Sequence, residues 1–99
     1  MSYNTKVIRW TDKGRNEAIR VAVVEGEDGL YSLDVRVFFN MDAEPLPTKK
    51  GIRVNNERVV ELMANMAYGL ECQEFEELMD KLHAIANERF PDEYEDDEL

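Results

Sequence analysis

The sequence predicts an α+β fold, strands first and helices after, on three observations. Residues 18–24 and 31–39 alternate side chains with the two-residue period of strands. Residues 56–68 and 71–90 repeat apolar side chains at intervals of three and four, the period of a helix. The charge then splits along the chain: residues 1–58 hold ten Lys and Arg against nine Asp and Glu, while residues 59–99 hold two against 13.

Taken in order, Thr5–Trp10 alternates weakly and fits either a short strand or an arm. Asp12, Lys13, Gly14, Arg15 and Asn16 follow as a polar break with turn chemistry. Ala18–Val24 is rich in β-branched residues, with Ile19, Val21 and Val23 on one face and Arg20 on the other. Glu25–Gly29 reads as a hairpin turn, since Asp28-Gly29 accepts positive φ readily. Tyr31–Phe39 is the strongest strand. Its odd positions, Tyr31, Leu33, Val35, Val37 and Phe39, make an apolar face, and its even positions, Ser32, Asp34, Arg36 and Phe38, offer a cation and a ring.

Asn40–Pro45 is a second turn, and Leu46–Val54 an extended segment in which Gly51 signals a bend or bulge. Asn55 suits the N-cap of a helix whose face is Val59, Leu62, Met63, Met66 and Ala67, closed by Gly69. A second helix spans residues 71–90, with Phe75, Leu78, Met79, Leu82, Ile85 and Ala86 on one stripe and Pro91 as its stop. Residues 91–99 contain six acids and no base, too little apolar surface to order themselves, so they are expected to form a disordered acidic tail behind a domain of residues 1–90.

Several function classes fall away. The 99 residues suit one domain, and one this small gains stability from a second copy. Cys72 stands alone, which excludes an internal disulfide and a cysteine-rich metal site and fits a reducing, intracellular setting. The first ten residues lack the apolar run of a secretory signal, and no stretch is apolar for long enough to span a membrane. His83 has no second ligand at useful spacing, Met63, Met66 and Met79 sit on core stripes, and Glu76 and Glu77 read as a solvated face. No phosphate loop, nucleophile elbow or metal motif is present, so neither a catalytic centre nor a cofactor is expected.

The net charge of −10 argues against a polyanionic partner, but binding depends on the local patch. LDVRVFF (Leu33–Phe39), PTKKGIRV (Pro47–Val54) and Asn55 leading into ERVVEL (Glu57–Leu62) resemble, in order and spacing, the DNA-binding domain of the positive cofactor four family of transcriptional coactivators. The resemblance covers about half the chain. It implies a curved four-stranded antiparallel sheet followed by one or two C-terminal helices, a homodimer formed partly through helices, and single-stranded DNA bound across the sheet without regard to sequence. By motif position it implies contacts from Arg36, Phe39, Lys49 and Lys50.

The sequence departs from that family in its first hairpin turn, where EGEDG would repel phosphate. Tyr31, Arg20 and the N-terminal Lys6, Arg9 and Trp10 are the residues available to replace lost contacts. The second helix also extends beyond the family's minimal domain. Single strands need spaced cations and flat rings on which any base can stack. Arg36 with Phe38 or Phe39, and Lys49 with Lys50, supply both, with Arg53 as a lesser candidate. Each has a plainer reading: the Phe pair as core, Lys49-Lys50-Gly51 as a tight turn, Trp10 as a packed arm. Alternation forbids both Phe residues from sharing a face, and Phe39 is expected near the rim. RNA stays open as a ligand, because stacking does not exclude a 2′-hydroxyl, and so does a protein-interaction module whose acidic helix and tail bind basic partners while the sheet serves as scaffold. For the acidic tail three readings stand: competition with DNA, recruitment of protein partners, or solubility.

Overall fold

The computed structural model describes residues 4–94, except the side chain of Val7. Four strands come first, β1 (Asn4–Gly14), β2 (Glu17–Glu25), β3 (Tyr31–Phe39) and β4 (Leu46–Asn55), followed by α1 (Val59–Ala67), α2 (Cys72–Arg89) and α3 (Pro91–Tyr94). The strands form one antiparallel sheet in the order β1-β2-β3-β4. The α+β class and the four-stranded meander are as the sequence predicts. The chain divides into two compact units at Leu62/Met63.

In the first unit, β2 and β3 pair without a break from Glu17↔Phe39 to Glu25↔Tyr31. Their turn closes through the Gly26 N–H to the Leu30 carbonyl (2.9 Å), the Gly29 N–H to the Gly26 carbonyl (3.0 Å) and the Leu30 N–H to Asp28 Oδ1 (3.0 Å). Gly29 supplies the positive φ of 81° that this turn demands.

β1 is longer than an arm or a short strand. It stays paired with β2 to Gly14, slipping register between Val7 and Arg9 and between Asp12 and Gly14. These slips explain the weak alternation, because each inserted residue flips the phase of those after it. The expected polar break shrinks to Arg15-Asn16, both at positive φ (56° and 62°). The side chain of Asn16 then clasps the β3–β4 loop: its Nδ2 donates to Asp42 Oδ1 (3.0 Å), and its Oδ1 accepts from the Asp42 N–H (2.8 Å). Asn16→Ala removes both bonds and places alanine in the left-handed region, and is expected to cost about 1–2 kcal/mol in urea unfolding. A loss under a few tenths would show that the clasp contributes nothing.

Burial falls on the even positions and not on the apolar odd ones. The buried residues Ala18, Ala22, Val24, Asp34 and Phe38 are all even-numbered, on the face of Arg20 and Arg36. On the odd face Val21, Val23, Leu33, Val35 and Val37 are half-buried, and Ile52 and Phe39 are 50% and 43% exposed. On the even face the Arg20 guanidinium and the Trp10 indole both pack on the Phe38 ring, whereas the short valines of the odd face stay partly exposed.

Asn55 caps the turn after the sheet, its Oδ1 accepting from the Arg58 N–H (3.2 Å), so that α1 starts at Val59, later than the expected residue 56. α1 ends through successive turns at Tyr68, Gly69 and Leu70. α2 opens with the Glu74 carboxylate accepting from the Glu71 N–H (3.1 Å) and closes with the Phe90 N–H on the Ala86 carbonyl (2.8 Å). Pro91 does not end the ordered chain, because it occupies the first position of the single turn α3, where its missing N–H costs nothing. The part of the expected tail from residue 95 onward lies outside the described residues. None of the described helices is long and apolar enough to cross a membrane.

Candidate nucleic-acid interface

One face of the sheet gathers cations around a single carboxylate. Asp34, 1% exposed in the middle of β3, meets the guanidinium of Arg36 side-on: Arg36 Nη2 donates to Oδ1 (3.0 Å) and Nε to Oδ2 (3.2 Å). Arg20 reaches across from β2 (Nη2 to Oδ2, 3.5 Å) and Arg53 from β4 (Nε to Oδ1, 3.6 Å). The registers Arg20↔Arg36 and Asp34↔Arg53 put all four on one face of three adjacent strands. One carboxylate therefore organises three guanidiniums.

Burial pushes the Asp34 carboxyl up. The hydrogen bonds and charge of Arg36, then the charges of Arg53 and Arg20, outweigh it and hold the group below the usual carboxylate range. Arg36 in turn is held charged more firmly by its hydrogen bonds to Asp34 than burial can oppose.

Rings border this cluster on the β1 side. Trp10, opposite Arg20 in the β1–β2 register, meets Phe38 edge-on, with centroids 5.1 Å apart and planes at 82°. The Arg20 guanidinium lies 4.7 Å from the Phe38 centroid. Phe38 is buried beneath these two, while Trp10 is 42% exposed and offers the open ring.

On the other side the edge strand β4 bulges. Pro47 faces Phe38 and Gly51 faces Arg36, so Thr48, Lys49 and Lys50 occupy the space of one residue in β3. Thr48 pins the bulge: its hydroxyl donates to the Val37 carbonyl (2.7 Å) and accepts the Lys50 N–H (3.1 Å), and its carbonyl accepts Arg36 Nη1 (3.0 Å). Lys49 and Lys50 are exposed on this bulge.

The fold thus brings together Arg20, Arg36, Arg53, Phe38 and Trp10, and sets Lys49 and Lys50 on the neighbouring edge. It separates two others. Phe39 follows Phe38 in an unbroken strand and stands on the opposite face with Val37. Arg9, paired with Val21, stands on the face opposite Trp10, so the two do not form a cation–aromatic pair. Sequence reasoning missed Asp34 and Thr48. The available signal for Asp34 was an acid two residues before Arg36 in a strand, a spacing that puts both on one face.

No protein-family model matches the chain, and no curated protein matches it by sequence. Among solved structures the chain is similar to a PC4 homolog from Burkholderia pseudomallei, with 23% sequence identity and a TM-score of 0.56 over 64% of this chain and 93% of that one. At that identity the likeness establishes the fold, a sheet-first α+β arrangement of the PC4 kind.

Proposed function

We propose that the chain binds single-stranded nucleic acid, DNA in the first place, without sequence specificity, as a homodimer and with no catalytic activity of its own. The observation that carries this reading is the convergence of Arg20, Arg36 and Arg53 beside the half-exposed ring of Trp10 on one sheet face. Fixed cations hold phosphates and an open ring stacks with any base. Shape-independent contacts of this kind recognise the strand and not its sequence. The PC4-like fold and the DVR and KKGI motifs support the same ligand. Transcription, replication, recombination and repair all expose such strands inside the cell. The half-buried odd face of the sheet is the surface a second copy would use, since it holds apolar area that solvent penalises.

The test is fluorescence anisotropy of a labelled oligo-dT, with oligo-U and duplex DNA beside it, over a range of salt. Trp10→Ala is expected to weaken single-strand binding by about 1–3 kcal/mol, roughly 5- to 150-fold, through the lost stack. Lys49→Ala with Lys50→Ala is expected to reduce the slope of log K against log salt by roughly 1.4, at ~0.7 per phosphate contact on a single strand. Equal affinity and slope in both variants would overturn the proposed surface. Sedimentation of the free chain tests the dimer. Preference for oligo-U over oligo-dT would make RNA the ligand of the same surface.

A further inference from the structure

A helix of 18 residues that buries none of its side chains is an incomplete structure. α2 is such a helix: Phe75, Met79, Leu82 and Ile85 are 42%, 56%, 52% and 46% exposed on one stripe. Tertiary packing supplies most of the stability of helices this short. At its N-terminal end the stripe runs into an open apolar depression lined by Ala64, Ala67, Tyr68, Leu70 and Phe75, where the alanines leave room for a large side chain. Phe75 belongs to both, so the apolar surface is continuous from the depression along the helix.

The charge around this surface is predominantly negative. Residues 71–94 carry Glu71, Glu74, Glu76, Glu77, Asp80, Glu88, Asp92 and Glu93 against Lys81 and Arg89, a net of −6. Pairing two copies of residues 71–94 would bring −12 together and set like charges against each other. A partner helix with an apolar stripe and basic flanks meets both features at once.

We propose that α2 is a docking surface for a basic amphipathic helix of another protein, which lays its apolar face along Phe75, Met79, Leu82 and Ile85 and seats one large side chain in the depression. Its Lys and Arg flanks meet Glu74 and Glu76, which border that stripe on either side at the helical spacing of 100° per residue. This goes beyond nucleic-acid binding and does not depend on it, for it rests on the second compact unit and not on the sheet. Chains with both surfaces tether a basic partner next to a bound single strand.

The test uses the full chain and a synthetic 18-residue Lys/Leu peptide with leucines at intervals of three and four, beside a peptide of the same composition in scrambled order. Calorimetric titration at moderate salt is expected to give at least tenfold tighter binding of the amphipathic peptide. Leu82→Glu and, separately, Glu76→Lys are expected to reduce it at least tenfold while oligo-dT binding stays unchanged. The second variant leaves the apolar stripe intact, and circular dichroism checks that both variants keep their helix. Equal binding of the two peptides would mean charge attraction without a docking surface and would overturn the proposal. So would full binding in both variants. If the free chain is dimeric and Leu82→Glu makes it monomeric, α2 is covered by a second copy and the proposal fails.

Discussion

Asp34→Ala is expected to destabilise the sheet by about 3–5 kcal/mol, the range for removing one member of a buried ion pair. The loss is more than one salt bridge. The Asp34 side chain is 1% exposed and bridges β2, β3 and β4 through Arg20, Arg36 and Arg53. Without it three guanidiniums lose the buried carboxylate they share. Their side chains keep 18%, 24% and 46% exposure, so water recovers part of the cost, which favours the lower half of the range. About 3 kcal/mol in a domain of this size lowers the melting temperature by roughly 12–24 °C. Thermal and urea unfolding followed by circular dichroism give the answer. A change under 1 kcal/mol would show that the arginines do not need Asp34.

The same group sets the sign of an acid dependence. The folded-state pKa of Asp34 is lowered, so the unfolded chain binds the proton more readily. The stabilisation is fully present above the ordinary carboxylate pKa near 3.9 and is lost as pH falls through the lower folded value. Asp34→Asn removes the charge while keeping an acceptor for Arg36. It is expected to flatten the acid limb of the stability curve below about pH 4 and leave its neutral shape intact, apart from an offset.

What the sequence made legible was periodicity. β2, β3, α1 and α2 were plain because each keeps one phase from end to end. β1 was obscured because the extra residue near Ile8 reverses the phase midway along the strand. Hydropathy alone does not locate the buried face, because it ranks Val21 and Val35 above Ala18, Ala22 and Arg20. It does not register that the Arg20 guanidinium and the Trp10 indole pack on the Phe38 ring of that face. The cation set was mostly visible, since Arg20, Arg36 and Arg53 all emerged as candidates. That they share one carboxylate was not, because cross-strand register joins residues 14 and 19 positions from Asp34. Motif position favours Phe39, while strand geometry gives the Arg36 face to Phe38 and leaves Phe39 half-exposed on the other.

Gly51→Ala is expected to detach the edge strand and so links the fold to the proposed binding surface. A Cβ at Gly51 would sit 2.5 Å from the Val35 carbonyl oxygen and 2.8 Å from Arg36 Cα. Both obstacles are backbone, so no rotamer change relieves them, and β4 must move away from β3. The pairs Val35↔Ile52 and Arg36↔Gly51 open first, and with them the Thr48 contacts that pin the bulge bearing Lys49 and Lys50. Overpacking of this kind costs about 1–3 kcal/mol, and an immovable obstacle favours the upper end. The loss should be local: amides of β4 exchange with solvent faster by two orders of magnitude or so, while those shared by β1 and β2 change only as far as global stability does. Single-strand affinity should fall with it, and the salt slope should drop toward that of the Lys49→Ala/Lys50→Ala variant, because free lysines on a loosened strand no longer hold phosphates at fixed spacing. Unchanged exchange in β4 would mean that the sheet absorbs a methyl group where the geometry leaves none. Faster exchange with an unchanged salt slope would instead separate the edge strand from binding, and leave the arginine face and Trp10 to hold the strand alone.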